Sequence, residues 1–540
     1  MRRYPVLIAG GGPTGLALAI ELGWRGVPCL LVEQTDGSVG FPTTNLVNTR
    51  TSEHLRRWGL IDAVRFAGFP PDYPRTYVFA TQVFGYELAR FEHPANGDPR
   101  SRSPLSPEGR IWCPKQFFDP VLQRHAAALP SVEVRFTTRL ESCRQNADGV
   151  VAEVVDVAGN RRDQIAAEYL VACDGGGSTI RHQLGIRLEG NFMEGQNVAV
   201  LFRSPRLLEN GHGKAVIYQI TNQKMLGGIT AVDGRELWRA NLRGIRPEQL
   251  PSLDTARLVR DALGADVPFE ILRVQPWEAH RVVAERYAKG RVFLAGDAAH
   301  LLWPTGGFGM NTGVGDGVDL GWKLAATIQG WGGPRLLDSY EAERRPIGIR
   351  NVNEAGDMRA DFEGQISTSA LLEEETDAGR RERERARAAI LRTRAKEFQH
   401  DSAGIELGYR YDHSPICVPD GTPPPPLDHA TYVPTTRPGA RAPHVWLADG
   451  RSTLDLFGRG LVLLVLSPTT LDTSAFTVAA EKVGMPLSVV RFDEPEAREA
   501  YARRLVLVRP DGHVAWRGDA VPGDTRAIID RVRGAAPDVP

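Results

Sequence analysis

The chain has 540 residues, 42% hydrophobic and 24% charged, enough at roughly 150 residues per domain for two large domains or three to four smaller ones, which excludes a mini-domain, a disordered chain and a coiled coil. Its 65 basic and 66 acidic residues leave a formal charge of −1, so no global field points to nucleic acid or an anionic membrane as partner. Five widely spaced cysteines without a Cys-x-x-Cys pair exclude a disulfide framework and a cysteine-built metal site, and fit a reducing, cytoplasmic setting.

In chain order, residues 6–9 predict a buried strand, 10–15 a tight turn, 16–24 a helix and 29–33 a second strand, a βαβ unit. The glycines and Pro13 interrupt the N-terminal apolar stretch, which argues against a signal peptide, and no apolar run approaches the ~20 residues that cross a bilayer. Residues 169–173, ending at Asp174-Gly175, and 292–295, ending at Gly296-Asp297, predict two further buried strands, each delivering a glycine and an acid. Between them, 214–220, 225–232 and 237–242 have the alternation of half-buried antiparallel strands. A helix is expected at 315–330. Residues 371–400, dense in Glu and Arg, predict a long solvated helix, with a homodimer contact as the alternative. Prolines from 423 to 443 mark an extended linker, after which strands at 461–466 and 505–508 and helices at 475–483 and 525–533 predict a small α/β unit.

Gly10-x-Gly12-x-x-Gly15 follows a strand and opens a helix, with Pro13 and Thr14 inside the motif and Glu33 at the end of the next strand. Gly10 permits the turn, Gly12 lets backbone approach a pyrophosphate, Gly15 lets helix and strand close, and Glu33 is placed for a ribose hydroxyl pair. The motif by itself leaves FAD and NAD open. A second cradle decides for a flavin: Gly296-Asp297 is followed by Pro304-Thr305-Gly306-Gly307-Phe308-Gly309-Met310-Asn311, a Gly-rich passage into a helix. Asp174-Gly175-Gly176-Gly177 is the third loop.

These three motifs, in this order and spacing, resemble the para-hydroxybenzoate hydroxylase family of single-component FAD aromatic monooxygenases, which includes phenol and aromatic polyketide hydroxylases. The residues Gly-Arg-Val-Phe-Leu-Ala-Gly-Asp-Ala-Ala-His at 290–300 and Gly-Met-Asn-Thr-Gly at 309–313 carry the resemblance most specifically. It implies an α/β fold. A discontinuous Rossmann-like FAD-binding domain of glutathione-reductase type would occupy 1–185 and 285–400, with a mostly antiparallel substrate sheet inserted at 186–284. The linker would span 401–443, and a thioredoxin-like domain without Cys-x-x-Cys would close the chain at 444–540. With no cysteine there, a structural or dimer-supporting role is expected of that unit.

By the same resemblance, Arg50 lies over the FAD pyrophosphate, Gln116 near the adenosine and ribityl portion, and Asp174 and Gly175 in a motif shared between FAD and NAD(P)H. Pro304 presents its backbone to the flavin C4a edge and is the residue nearest catalysis. Gly307, Gly309, Met310 and Asn311 face the flavin, with 309–311 bonding its pyrimidine end. The implied reaction uses NADPH or NADH as a transient co-substrate and O₂, and hydroxylates an aromatic, phenolic or polyketide-like ring through a flavin C4a-hydroperoxide. Baeyer-Villiger insertion or epoxidation on the same fold, and a flavoprotein that only sequesters aromatic ligands, are the alternatives. Substrate contacts are sought in Asn45 of the 41–48 segment, Tyr218 and Gln219, Trp238 beside Arg239, Trp277 and Trp303. No strongly basic pocket motif is visible, so a neutral, bulky aromatic is preferred to a small benzoate, and no metal is expected.

Overall fold

The computed structural model describes residues 2–535 apart from Met225, Arg246, Gln365, His400 and Asp401. The first residue of the expected 225–232 strand and the last of the 371–400 helix lie outside the described residues, as do the first of the 401–443 linker and the final five of the 444–540 unit.

A parallel sheet forms the first body. Arg2–Ala9 lies between Cys29–Val32 and Arg161–Ala172, with Val132–Arg135 beyond the former and Val292–Leu294 beyond the latter. Val6–Ala9 and Cys29–Val32 are buried throughout, as parallel strands covered on both faces must be. A hairpin, Thr138–Asn146 with Gly149–Asp156, adds antiparallel pairing to the outer half of Arg161–Ala172.

Pro13 starts the helix Pro13–Trp24, where its missing N–H costs nothing, and the helix is buried on nearly every side. Its partner is the helix Phe308–Ile328. A Cβ at Gly313 would lie 2.2 Å from Thr14 Oγ1, one at Gly317 3.1 Å from Thr14 O and Leu18 N, and one at Gly321 2.7 Å from Glu21 Cγ. Three glycines at i, i+4 and i+8 therefore let two helix backbones touch. The helix begins seven residues earlier than the expected 315, because left-handed Gly307 (φ 70°) breaks the chain just before Phe308 and 309–313 form the first turns.

The second body is an eight-stranded sheet in the order His300–Leu301, Glu270–Ala284, Leu188–Arg203, Leu237–Arg243, Leu226–Ala231, Ile217–Thr221, Tyr77–Ala80, Glu87–Phe91. It reaches outside 186–284: Tyr77–Ala80 pairs parallel with Ile217–Thr221, and Glu87–Phe91 closes the edge. That edge is covered by Asp377–Gln399, whose Ala386 and Ile390 join the sheet's core while Arg380, Arg381, Glu384 and Arg385 are exposed.

The C-terminal unit is a four-stranded sheet in the order Leu487–Phe492, Leu461–Leu466, Leu505–Val508, Val514–Gly518, with helices Ser474–Glu481, Pro495–Tyr501 and Thr525–Val532. Its core continues into Trp322, Ala326, Trp331 and Leu336 of the first body. The segment before it is no free spacer. Tyr409, Tyr411, Ile416, Cys417 and Arg441 are buried, and isolated bridges join Arg410 to Ala440 and Arg441 to His513. Its prolines fix an extended path that packs between the bodies.

Candidate cofactor and substrate site

Three strand ends converge at the C-terminal edge of the parallel sheet. Gly10 (φ 110°) leaves no room for a side chain, since a Cβ would sit 2.1 Å from Cys173 O, and one at Gly15 would sit 2.0 Å from Gly10 O. Gly12 differs: a Cβ there meets nothing within 4 Å. Its open side, next to the N-terminus of Pro13–Trp24, is where an anion can reach backbone amides. Glu33 accepts from Gly11 N (2.6 Å) and from Thr35 N and Oγ1 (2.8 Å each). Asp174 Oδ2 accepts from Ile180 N (3.3 Å), while its buried Oδ1 has no partner. Gly175 follows at φ 82°.

Thr14 is the keystone between the Gly10–Gly15 loop and the Gly296 loop, its side chain filling the space that a Cβ at Gly296 or Gly313 would need. Buried Asp316 holds the Gly296 turn. Its Oδ2 accepts from Gly296 N (3.0 Å) and His300 Nε2 (2.8 Å), and its Oδ1 from Arg344 Nε (2.8 Å). Burial pushes the Asp316 carboxyl up, but Arg344 and His300 outweigh it and keep the group charged. The turn offers Asp297 to the cleft. The Asp297 side chain is exposed to the cavity, and the protein packed around it desolvates the carboxyl and raises it above the usual range against the pull of His300 and Lys115. Lys115, paired with Asp119, faces it from the helix Lys115–Ala128.

A cavity of ≈490 Å³ opens beside this cradle. Strand register builds its floor in rows. Tyr77, Ile217, Thr230 and Arg239 are cross-strand neighbours, as are Phe79, Gln219, Gly228, Asn241, Ala199 and Gln275, and then Arg243, Asn197 and Trp277. Phe41 and Thr43 to Leu46 form one wall. Asp297, Leu301 to Gly307, Gly309 and Met310 form the other. Trp303 lies 6.4 Å from Trp277, centroid to centroid, under the guanidinium of Arg359 at 3.7 Å.

Asn45, Gln219, Trp277, Trp303, Pro304, Gly307, Gly309 and Met310 thus meet around one space. Tyr218 and Trp238 do not. Side chains alternate along a strand, so with Gln219 and Arg239 facing the cavity their neighbours face the core, where Tyr218 OH donates to Gly213 O (2.5 Å) and Trp238 Nε1 to Ser204 O (3.2 Å). Arg50 is also placed elsewhere: its guanidinium donates to Glu53 (2.6 Å) and to Asp511 O (2.6 Å), toward the C-terminal unit. Gln116 Nε2 donates to Val232 O (3.0 Å). The Asn311 side chain ties the 46–48 segment to its helix, accepting from Asn48 N (3.0 Å) and donating to Leu46 O (3.0 Å) and Gly307 O (2.7 Å). Three arginines, Arg110, Arg239 and Arg243, line the cavity together with the acids Glu278 and Asp297, and Arg110 is paired with Glu406. Arg239 and Arg243 were legible as the polar phase of Leu237–Arg243; Arg110 and the strand Tyr77–Ala80 had no sequence signal.

The loops fit a dinucleotide flavin: Gly12 leaves an open approach to a helix N-terminus, Asp174 has an unpartnered buried oxygen, and glycines 175, 296, 306 and 307 turn in the left-handed region. Residues 3–355 match the FAD binding domain family and residues 435–536 the aromatic-ring hydroxylase C-terminal family. The chain is 34% identical to the FAD-dependent monooxygenase apdD of Emericella nidulans, over 98% of this chain and 89% of that one. Among solved structures it superposes on RebC, soaked with chromopyrrolic acid and holding 7-carboxy-K252c, with TM-score 0.92 at 38% identity, over 99% of this chain and 100% of that one. A ternary complex of aklavinone-11 hydroxylase with FAD and aklavinone aligns with TM-score 0.83 at 30% identity, over 99% of each chain. The chain belongs to the family of FAD-dependent aromatic-ring hydroxylases. It is a flavoprotein enzyme of monooxygenase type with FAD as cofactor. Among the described residues no helix is long and apolar enough to cross a membrane, and no cluster of metal-ligating side chains occurs.

Proposed function

We propose that this enzyme uses NAD(P)H and O₂ to hydroxylate a polycyclic aromatic substrate of phenolic or polyketide type. The observation that carries this reading is the cavity of ≈490 Å³ in which the 304–310 segment faces a sheet floor of aromatic, amide and arginine side chains. Its volume suits a ligand of several fused rings, and the relatives holding 7-carboxy-K252c and aklavinone support that size class.

Gly10, Gly12, Pro13, Thr14 and Gly15 would hold the pyrophosphate at the helix N-terminus, Glu33 a ribose, and Asp174, Gly175, Gly296 and Asp297 the bridge toward the flavin ring. Pro304, Gly307, Gly309 and Met310 would border that ring. FAD, when bound, supplies the redox and oxygen chemistry. The protein's part is placement and exclusion of water: Trp277 and Trp303 offer aromatic faces, Gln219 and Asn241 offer amides, and the 41–46 wall closes the site over the sheet.

The test is mass spectrometry of reactions with phenols and polyketide intermediates, in which ¹⁸O₂ should place one labelled oxygen on the product ring. Consumption of NAD(P)H and O₂ with every aromatic returned unchanged and stoichiometric peroxide would sink the reading.

A further inference from the structure

Gly228 lies inside the strand Leu226–Ala231, buried and on the floor of the cavity. A glycine inside a strand weakens it, and its usual reasons are a bulge, a left-handed backbone, a close approach by another part of the protein, or a close approach by a ligand. None of the first three applies here. Pairing runs without a shift of register through Gln219 on one side and Asn241 on the other, and the backbone of Gly228 stays out of the left-handed region. A Cβ built on it would lie 3.5 Å from Gln219 Oε1 and 3.6 Å from Ile217 Cγ2 and Tyr218 O, which is ordinary van der Waals contact. Other strand glycines differ. A Cβ would come within 2.4 Å of Ala167 O at Gly149, 2.2 Å of Arg281 O at Gly190, 2.8 Å of the Trp303 ring at Gly195 and 2.7 Å of the Trp516 ring at Gly518.

The remaining reason is a ligand, and the neighbours on the floor agree with it. Register sets Phe79, Gln219, Gly228, Asn241, Ala199 and Gln275 side by side in one row, and all of them line the cavity. Two long amides, Gln219 and Asn241, thus flank a position with no side chain. The floor dips there. Gln219 Nε2 donates to Gly227 O, which fixes the amide at the edge of the dip. A planar ring laid on the sheet comes closest to the backbone at Gly228, and any side chain at 228 would take up that space.

We infer that Gly228 sets the size of the ring system this site accepts, by leaving the floor open beneath one ring of the substrate. The inference rests on the cavity being the site of the aromatic substrate, and it names the residue that limits how large that substrate can be.

The test measures binding, not turnover. FAD-loaded wild type, Gly228→Ala and Gly228→Val are titrated with 2-naphthol, 9-phenanthrol and 1-hydroxypyrene, phenols of increasing ring count, and the flavin absorbance change is followed. Wild type should bind 1-hydroxypyrene most tightly, because it buries the most apolar surface. Gly228→Ala should weaken 1-hydroxypyrene about 10-fold and Gly228→Val about 100-fold, the scale of overpacking a filled site, with 2-naphthol held within about threefold. Gly228→Ala should also melt no lower than wild type, since alanine suits a strand better than glycine does. A lower melting temperature or loss of FAD in Gly228→Ala would mean that the fold itself demands the glycine, and overturns the inference. An unchanged order and spread of affinities in Gly228→Val, or an equal loss for all three phenols, overturns it too. Should Gly228→Val fail to retain FAD, the ring-size preference of Gly228→Ala decides. Binding of none of the phenols by wild type brings down both this inference and the proposed substrate class. A ring-size limit that moves with residue 228 in a protein that oxygenates nothing would sink the proposed reaction and leave this inference standing.

Discussion

Arg509 of the C-terminal unit grips Glu343 of the FAD-binding body with both terminal nitrogens, Nη1 to Oε1 at 2.5 Å and Nη2 to Oε2 at 2.8 Å, and neither side chain is exposed. Asp511 Oδ2 lies 2.7 Å and Asp319 Oδ1 3.2 Å from the same Nη2, and Lys323 closes the group on Asp319 (2.7 Å) and Glu343 (2.6 Å). Three acids share two cations here. Burial lifts Asp319, against the pull of Lys323, to about 8, while Arg509 and Lys323 overcome the burial of Glu343 and hold it down to about 2.

Breaking this cluster strands charge inside the protein. Arg509→Met is expected to cost about 3–5 kcal/mol, the range for removing one partner of a buried pair. Arg526→Ala, which removes the exposed pair with Asp530, should cost no more than about 1 kcal/mol. Thermal unfolding of the two variants side by side checks the contrast.

His513, beside Asp511, is kept neutral by burial, with Arg50 and Arg509 adding to the effect against the pull of Asp511, and titrates at about 4. The unfolded chain binds this proton near the ordinary histidine value of about 6.5. Stability from His513 is therefore complete above about 6.5 and falls as pH drops toward 4, because the unfolded state takes up the proton first. His513→Asn should lose less melting temperature between pH 6.5 and 5 than wild type does; equal losses would refute the assignment.

Gly313 should not tolerate alanine. The new Cβ would lie 2.2 Å from Thr14 Oγ1 and 3.1 Å from Gly296 Cα, so it would push apart the two loops it joins. Overpacking of this kind costs about 1–3 kcal/mol, and the loss should appear as reduced FAD content as well as a lower melting temperature.

Asp297→Ala is expected to give soluble protein that holds FAD about 10–100-fold more weakly, the scale of one charge-assisted hydrogen bond. The ratio of flavin to protein absorbance after gel filtration reads this directly. Full occupancy would remove Asp297 from the cofactor site.

The two tryptophans tell core from cavity. Trp238→Ala should cost about 3–5 kcal/mol, as a large core truncation does, with no direct effect on ligand contacts. Trp277→Ala, on the cavity floor, should weaken ligand binding and leave the melting temperature nearly unchanged.

Much of the geometry of the first loop was legible because glycines at fixed spacing have few other uses at a strand end: Gly10 and Gly15 are demanded by contacts of under 2.2 Å. The inserted sheet was legible from alternation in 217–243, but which phase faced the ligand was not, since both Trp238 and Arg239 are buried. Of the neighbours Trp238 and Arg239 singled out there, the arginine lines the cavity. The partners of Arg50, Gln116 and Asn311 were a second limit: their side chains bond Asp511, Val232 and Leu46, which lie far away in sequence and which no motif names. Nor did proline content reveal that 402–443 is packed between bodies: an extended chain has the same composition whether water or protein surrounds it.

The helix Phe308–Ile328 has a different attachment at each end. Its first turn carries Gly309 and Met310 into the cavity, and farther along Asp319 meets Arg509 while Lys323 bonds Asp319. The helix from residue 310 to 323 acts as a stiff strut between them. A unit with no cysteine in its sequence thereby becomes the abutment against which the 309–310 turn is aligned. Cutting the chain before residue 444 would remove Arg509 and leave Asp319 and Glu343 without that partner, so the far end of the helix would lose its anchor.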